Sequence, residues 1–326
     1  MVPDRNDSQK QPLKRPLVAL SSCLLGEPVR YDGTDRRNDW LVDRLGAHVE
    51  YRGYCPEVGI GLGVPRPTIR LVQDDGATRV LGAADVRRDV SAPLREFAMD
   101  LVPQLADASG YVFKSRSPSC GLYAVPRFDP LGNEVEPGVG AVAAVIAERR
   151  PDLPLEEETG LQDPLRREHF VEQVFARQRW LTLVQQNPGP GELIAFHAHH
   201  KYQLMAHSIA AYTDLGRLLS DFSNTDMRSI LASYERGFTC ALAKKATRAG
   251  HVNVLQHLSG YLKRVLTAAE KTRLAGAIEH YRQSQTSLQG PMQLLLQHFD
   301  LHPDDYIAAQ TYLDPYPRAL GLRNTI

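Results

Sequence analysis

The 326-residue sequence has four cysteines, two tryptophans and no formal net charge. So few cysteines exclude a small disulfide-stapled scaffold, and in a reducing compartment they stay available for metal binding or catalysis. No stretch approaches the roughly 20 consecutive apolar residues of a membrane-spanning helix. Met1 to Pro16 is polar where a secretory signal would be apolar. A cytoplasmic protein without membrane association is expected. The zero net charge says nothing about partners, but its distribution does. From Leu165 onward there are 18 Lys+Arg against 13 Asp+Glu, whereas the first 164 residues hold 20 against 25. The second half also carries 10 of the 11 histidines. That polarity suits an anionic partner for the second half. Nothing calls for an obligate protein partner.

What is present falls into two textures. Residues 1–15 read as a disordered leader. Leu17 to Leu20 is an apolar run with the signature of a buried strand, and Cys23 follows it directly. Trp40 to Leu45 makes a short helix, and Val49 to Tyr54 a second strand that delivers Cys55. Ile69–Val72 and Thr78–Leu81 flank Asp74-Asp75-Gly76, a hairpin signal. Pro93 to Ala108 is helical by period, with Pro103 expected to kink or end it. Tyr111 to Lys114 is a third strand leading to Cys120, and Gly138 to Arg149 another helix. Three strands that each end in a cysteine-bearing loop predict an α/β domain, a Rossmann-like open sheet over residues 16–150, with its site at the carboxyl edge. Residues 151–164 hold prolines and an acidic triplet with no period, and read as a linker. Beyond it, over 165–326, Glu168–Gln186, Gly191–Ser220, Met227–Arg248, Val252–Ala268, Lys271–Ser284 and Leu288–Phe299 read as helices of an all-α domain.

Cys240, in a helical Phe-Thr-Cys-Ala-Leu setting, reads as a small buried hydrophobe. Cys23, Cys55 and Cys120 differ, because each stands among Gly, Pro or polar residues at a strand end. Three thiolates without an evident fourth leave an open metal position, as a catalytic centre requires, and by spacing zinc and an iron–sulfur cluster are both admissible. Cys120 behind Ser117-Pro118-Ser119 also permits a metal-free thiolate nucleophile, a reading that leaves Cys23 and Cys55 without a role.

Ser22 to Gly33, Cys55-Pro56-Glu57, Pro65-Arg66-Pro67 and Ser117 to Gly121 resemble the motifs of the bacterial thiouracil desulfidase family, in order, over roughly residues 16–148. The resemblance implies a [4Fe-4S] cluster held by Cys23, Cys55 and Cys120, with one iron free of protein ligands. Phe196 to Tyr202, Tyr212 to Gly216, Asn253 to Lys263 and Gln310 to Pro317 resemble the YbgA-like helical domain. The two together are similar to the tRNA 4-thiouridine desulfidases. That pairing implies hydrolytic removal of sulfur from 4-thiouridine in tRNA, giving uridine and sulfide. Free thiolated pyrimidines as substrate, or a cluster-carrying RNA-binding protein without turnover, are the alternatives.

Such chemistry needs a thiophilic Lewis acid, a base for the attacking water and a proton donor. Glu57, two residues after Cys55, is the expected base. The family places a serine in the Cys120 segment; Ser117 is favoured as donor, with Ser115 next and Ser119 read as a helix cap. Lys114 and Arg30 would hold anionic oxygens. Between Arg236 and Ala269 there is no Asp or Glu. Arg236, Lys244, Lys245, Arg248, Lys263 and Arg264 stand there among amides and an aromatic, a composition suited to phosphates and 2′-hydroxyls. Of His197, His199, His200 and His207, only His200 and His207 share a helix face, and no carboxylate sits at zinc-site spacing; contacts to RNA or neighbouring helices are expected instead. Leu204 and Met205 are core candidates.

Overall fold

The computed structural model describes residues 14–220, 222 and 226–324. Most of the expected leader, residues 1–13, therefore lies outside the described residues. A first sheet has the order β2-β1-β5-β8 and is parallel throughout, built from β1 (Leu17–Ser21), β2 (Glu50–Tyr54), β5 (Gly110–Phe113) and β8 (Leu155–Glu157). The chain leaves β1 to one side for β2 and returns on its other side as β5. The carboxyl end of β1 is thus the place where the strand order reverses, the usual ligand crevice of open α/β sheets. A second sheet, β4-β3-β6-β7, contains the expected hairpin β3 (Ile69–Asp74) and β4 (Ala77–Gly82). To it are added β6 (Val125–Phe128) and β7 (Glu134–Gly138), both rich in Pro and charge and not expected from the sequence.

The two central strands, β1 and β5, are buried on both faces, so their side chains point alternately into two cores. On one side Ala19, Tyr111 and Phe113 pack against Leu94, Ala98 and Leu101 of α2 (Ser91–Gln104) and Val142, Ala143 and Ile146 of α3 (Ala141–Arg149). α1 (Pro56–Gly59) is a single turn after β2. Helix α2 stops one residue after Pro103, whose ring removes a backbone donor.

On the other face Val18, Leu20 and Val112 meet Phe170, Val171, Val174 and Phe175 of α4 (Pro164–Gln185). The stretch read as a linker therefore carries the fourth strand of the sheet, and the first helix of the expected all-α domain is the sheet's second covering layer. Contact is close. A Cβ on Gly110 of β5 would lie 2.7 Å from Val174 Cγ2 and 3.1 Å from Phe170 Cζ. Arg177 and Gln178 add polar ties, Arg177 Nε donating to Ala108 O (2.9 Å) and Ser109 Oγ to Gln178 Oε1 (3.0 Å).

Ala176 and Trp180, further along α4, belong to the helical core with Leu193, Phe196, Tyr234 and Phe238. The remaining helices are α5 (Pro190–His199), α6 (Lys201–His207), α7 (Ile209–Leu218), α8 (Met227–Ala243), α9 (Arg248–Leu262), α10 (Ala268–Arg282), α11 (Gln289–Leu301) and α12 (Asp305–Ala308). The stretch 191–220, read as one helix, is three, broken at His200 and at Ser208, whose side chain caps α7. Leu204 and Met205 are buried as expected, but Cys240 sits on the solvent face of α8, not in the core. No helix among the described residues is long and apolar enough to cross a membrane.

Candidate functional site

β1, β2 and β5 are neighbours, and a cysteine follows each at the carboxyl edge. After β1 the chain turns tightly through Ser22–Leu25, and Gly26 (φ 95°) closes the turn with its amide on Cys23 O. Arg36 N also donates to Cys23 O (2.9 Å), so two bonds fix this loop. Cys55 stands at the N-cap position of α1, its carbonyl accepting from Gly59 N. The Cys120 loop is held by Ser117, whose Oγ accepts from Ser119 N (3.3 Å) and Cys120 N (3.1 Å). The start of α3 presses on it so closely that a Cβ on Gly140 would lie 2.8 Å from the Ser119 carbonyl and the Gly121 amide.

The three thiols line one cleft of about 560 Å³ together with Glu57, Arg66, Lys114, Ser115, Ser117, Arg30, Arg36, Arg116, Tyr31 and Tyr54. All three are unbridged. Burial raises each thiol, Cys23 to about 11, Cys120 further and Cys55 in the same direction; the other two thiols add to the rise at Cys120. Among the described residues no three His, Cys, Asp or Glu side chains gather at the spacing of one metal ion. Three soft donors on separate loops, facing one cavity without a fourth, fit an iron–sulfur group, whose positive charge would favour the thiolates that burial disfavours.

Glu57 is a wall residue of this cleft, not a free surface acid. Its Oε2 accepts from Arg66 Nε (2.7 Å) and its Oε1 from Ser119 Oγ (3.1 Å). Arg66, with its side chain only 3% exposed, also donates to Gly63 O and anchors its own amide on Tyr31 O. That explains why an Arg stands between two prolines here. The serines divide differently from the sequence expectation. Ser119, read as a cap, is fully buried and holds Glu57, while Ser117 does the capping and also lines the cleft. Ser115 donates to Glu158 Oε1 (2.7 Å) and accepts from Lys114 Nζ (2.9 Å).

Sequence reasoning missed the acidic triplet. Glu156 pairs with Arg166, Glu157 accepts from the amides of Leu122 and Tyr123, and Glu158 takes the Ser115 amide and the Lys114 ammonium. β8 and Glu158 just after it thus brace both sides of the Cys120 loop with carboxylates. Arg36 and Arg116 face the cleft without an ion pair among the described residues, and Arg30 lies over the half-exposed Tyr31 ring while reaching Asp32 at 3.6 Å.

The basic residues assigned to RNA do not form one patch. Arg236, Lys244 and Lys245 lie along or just past α8, and all three are exposed. Arg248 is engaged internally, over the Tyr281 ring and donating to its carbonyl (2.6 Å). Lys263 and Arg264 are exposed at the far end of α9, a 15-residue helix of about 22 Å. The histidines serve packing: His197 touches Tyr234 and stacks on Tyr212, His200 is bonded to Phe196 O, and His207 lies 3.3 Å from Glu172.

Residues 18–158 match the family described as 2-thiouracil desulfurase, and residues 201–317 match a family described as a protein of unknown function, DUF1722. Escherichia coli (strain K12) "Uncharacterized protein YbgA" is 27% identical over 153 residues, covering 47% of this chain and 90% of that protein. A solved structure titled as a [4Fe-4S]-dependent thiouracil desulfidase, TudS, is 30% identical over 45% of this chain and 94% of its own, with a TM-score of 0.38.

Proposed function

For a chain that joins a 2-thiouracil desulfurase family domain to a DUF1722 domain, we propose hydrolytic desulfuration of 4-thiouridine in tRNA, dependent on a [4Fe-4S] cluster held by Cys23, Cys55 and Cys120. The observation that carries this reading is the meeting of three cysteines, each from a different strand end, around one cleft that has the Glu57 carboxylate in its wall. When bound, the cluster supplies a thiophilic Lewis-acidic iron to the thiocarbonyl sulfur.

The chain's own residues do the rest. A cleft of about 560 Å³ is of the size that encloses a small ligand, here one base. Arg116 and Arg36, the latter with Nη1 also donating to Asp35 O (3.0 Å), stand at its wall without an ion pair among the described residues and would take the phosphates on either side of it. Glu57 has one hydrogen bond on each carboxylate oxygen, so each keeps a lone pair to accept a proton from water. Water adds to the thiocarbonyl carbon, Glu57 takes its proton, the carbon–sulfur bond breaks and sulfide leaves; thiocarbonyl plus water gives carbonyl plus hydrogen sulfide, with no electron transferred. Arg66 and Ser119 are positioning residues for that base. Ser117 accepts two amide bonds, which leaves its O–H to be donated toward the departing sulfur. The Ser115 hydroxyl is already given to Glu158.

The choice of tRNA over a free base rests on the attached helical region and its positive balance. Incubating anaerobically reconstituted full-length protein with thiolated tRNA, and following the near-ultraviolet absorbance of the thiobase, tests it. Loss of that absorbance is expected. Loss with the free base only would transfer the activity to small thiopyrimidines, and no loss from either substrate with a loaded cluster would reject desulfuration.

A further inference from the structure

Several motif residues of the helical region have no part in the cleft, yet they come together. Lys201 and Tyr202 begin α6, Tyr212 is on α7, Tyr261 on the last turn of α9 and Tyr306 on α12. The Tyr261 and Tyr306 rings stack with centroids 6.0 Å apart and planes 21° apart, and they are 43% and 36% exposed. Tyr202 is buried and carries Lys201 Nζ 5.1 Å from its ring centroid, and the Tyr261 phenol, next after burial, helps to raise its pKa. Burial, with the Tyr261 phenol nearby, raises the phenols of Tyr212 and Tyr306. Arg264 lies three residues after Tyr261, just past the end of α9, and is exposed.

Two large rings left half in water by a folded chain need a reason. From this convergence we infer that the Tyr261–Tyr306 pair is a stacking platform for an unpaired RNA base, with Lys201 and Arg264 placed for the adjoining phosphates. The inference deepens the tRNA reading and rests on it. A base offers a π-face to such a pair whatever its identity, and phenol hydroxyls match base edges and 2′-hydroxyls as both donor and acceptor. Charge agrees: Tyr261 and Arg264 lie inside the acid-free stretch between Arg236 and Ala269, in the half of the chain with a balance of +5 (18 against 13). Asp304 and Asp305 immediately precede Tyr306 and are the opposing charges nearby; Asp304 accepts from Ile307 N (3.0 Å) as the cap of α12, and phosphates are placed on the Lys201 and Arg264 side.

The test uses full-length protein, a labelled tRNA transcript, a single-stranded oligouridylate and a fully paired RNA duplex, read by fluorescence anisotropy over a salt series. Tyr261→Ala and Tyr306→Ala are expected to weaken binding of the transcript and the oligouridylate about tenfold each, with the slope of log affinity against log salt unchanged. Tyr261→Phe and Tyr306→Phe should stay within about twofold, since the ring face remains. Arg264→Ala should reduce the salt slope by about one. The duplex should bind least. Wild-type affinity in both alanine variants, with intact binding by the parent protein, would remove the platform and leave the tRNA reading standing. Absence of RNA binding by the parent protein would remove both. A parent dimer in sedimentation that Tyr261→Ala dissolves would assign the surface to a second copy of the chain and overturn the inference.

Discussion

At the scale of residues, Glu57 takes its position from two partners far away in sequence or hidden by context. A general base contributes about 10²- to 10⁴-fold, so Glu57→Gln should keep the cluster's visible absorbance and lose kcat by at least about 100-fold. Arg66→Ala should keep the cluster as well but leave the carboxylate loose, lowering kcat less than Glu57→Gln does. Equal or greater loss in Arg66→Ala would make the guanidinium itself a contact of the substrate. Cys23→Ser, Cys55→Ser and Cys120→Ser should each abolish the iron–sulfur absorbance while far-ultraviolet circular dichroism is retained; a variant that loads a full cluster would remove that residue from the ligand set. The three cysteines were legible because each follows a short strand, two of them apolar, and adjacency of those strands brings them together. The Ser119–Glu57 bond was not, since 62 residues separate the partners. Ser117 and Ser119 exchange expected roles because a capping hydroxyl and a buried donor have the same sequence appearance. Only the fold of the loop tells them apart.

At the scale of elements, β8 and α4 are the main departures from the sequence reading. Leu155–Glu157 is short and two-thirds acidic, which in isolation reads as a solvated linker. Its carboxylates, with Glu158 that follows, are instead consumed by an arginine, two amides and the Lys114–Ser115 pair, so burial is offset by hydrogen bonds and charge. Glu158→Ala should therefore destabilise the protein by about 3 kcal/mol or more, because it leaves the partly buried Lys114 ammonium without its partner. Chemical denaturation of the two proteins measures it; a change under about 1 kcal/mol would mean water replaces the carboxylate. Helix α4 was legible as a helix, but not its placement, since it is buried almost all round and its apolar residues serve two cores at once. Gly110→Ala puts a methyl into Val174 and should cost about 1–3 kcal/mol by the same measurement.

At the scale of the whole molecule, a polar cluster inside the helical region ties α4 to the end of the chain. Glu168 accepts from Tyr316 (2.5 Å) and lies 3.7 Å from Arg323, while its second oxygen has no partner. Burial, chiefly, raises its pKa from 4.5 to about 7. The folded carboxyl thus keeps its proton to higher pH than the unfolded one. Its contribution to stability is full below about 4.5 and is lost as pH rises through about 7. Relative to Glu168→Gln, which cannot ionise, the wild-type Tm should fall between pH 5 and pH 8; a constant difference would show that Arg323 keeps Glu168 charged throughout.

The junction of the two family matches has a consequence for how the chain melts. Each match describes a segment that could be inherited by itself, yet α4, which lies between the two matches, is a shared wall of both halves. Severing the chain just before Pro164 would strip Val18, Leu20 and Val112 of their cover and open Trp180 on the other side. The unit of descent and the unit of cooperativity then do not coincide. Calorimetry of the intact chain should record one transition instead of two, and whatever strains the distant helices should be felt at the three cysteines.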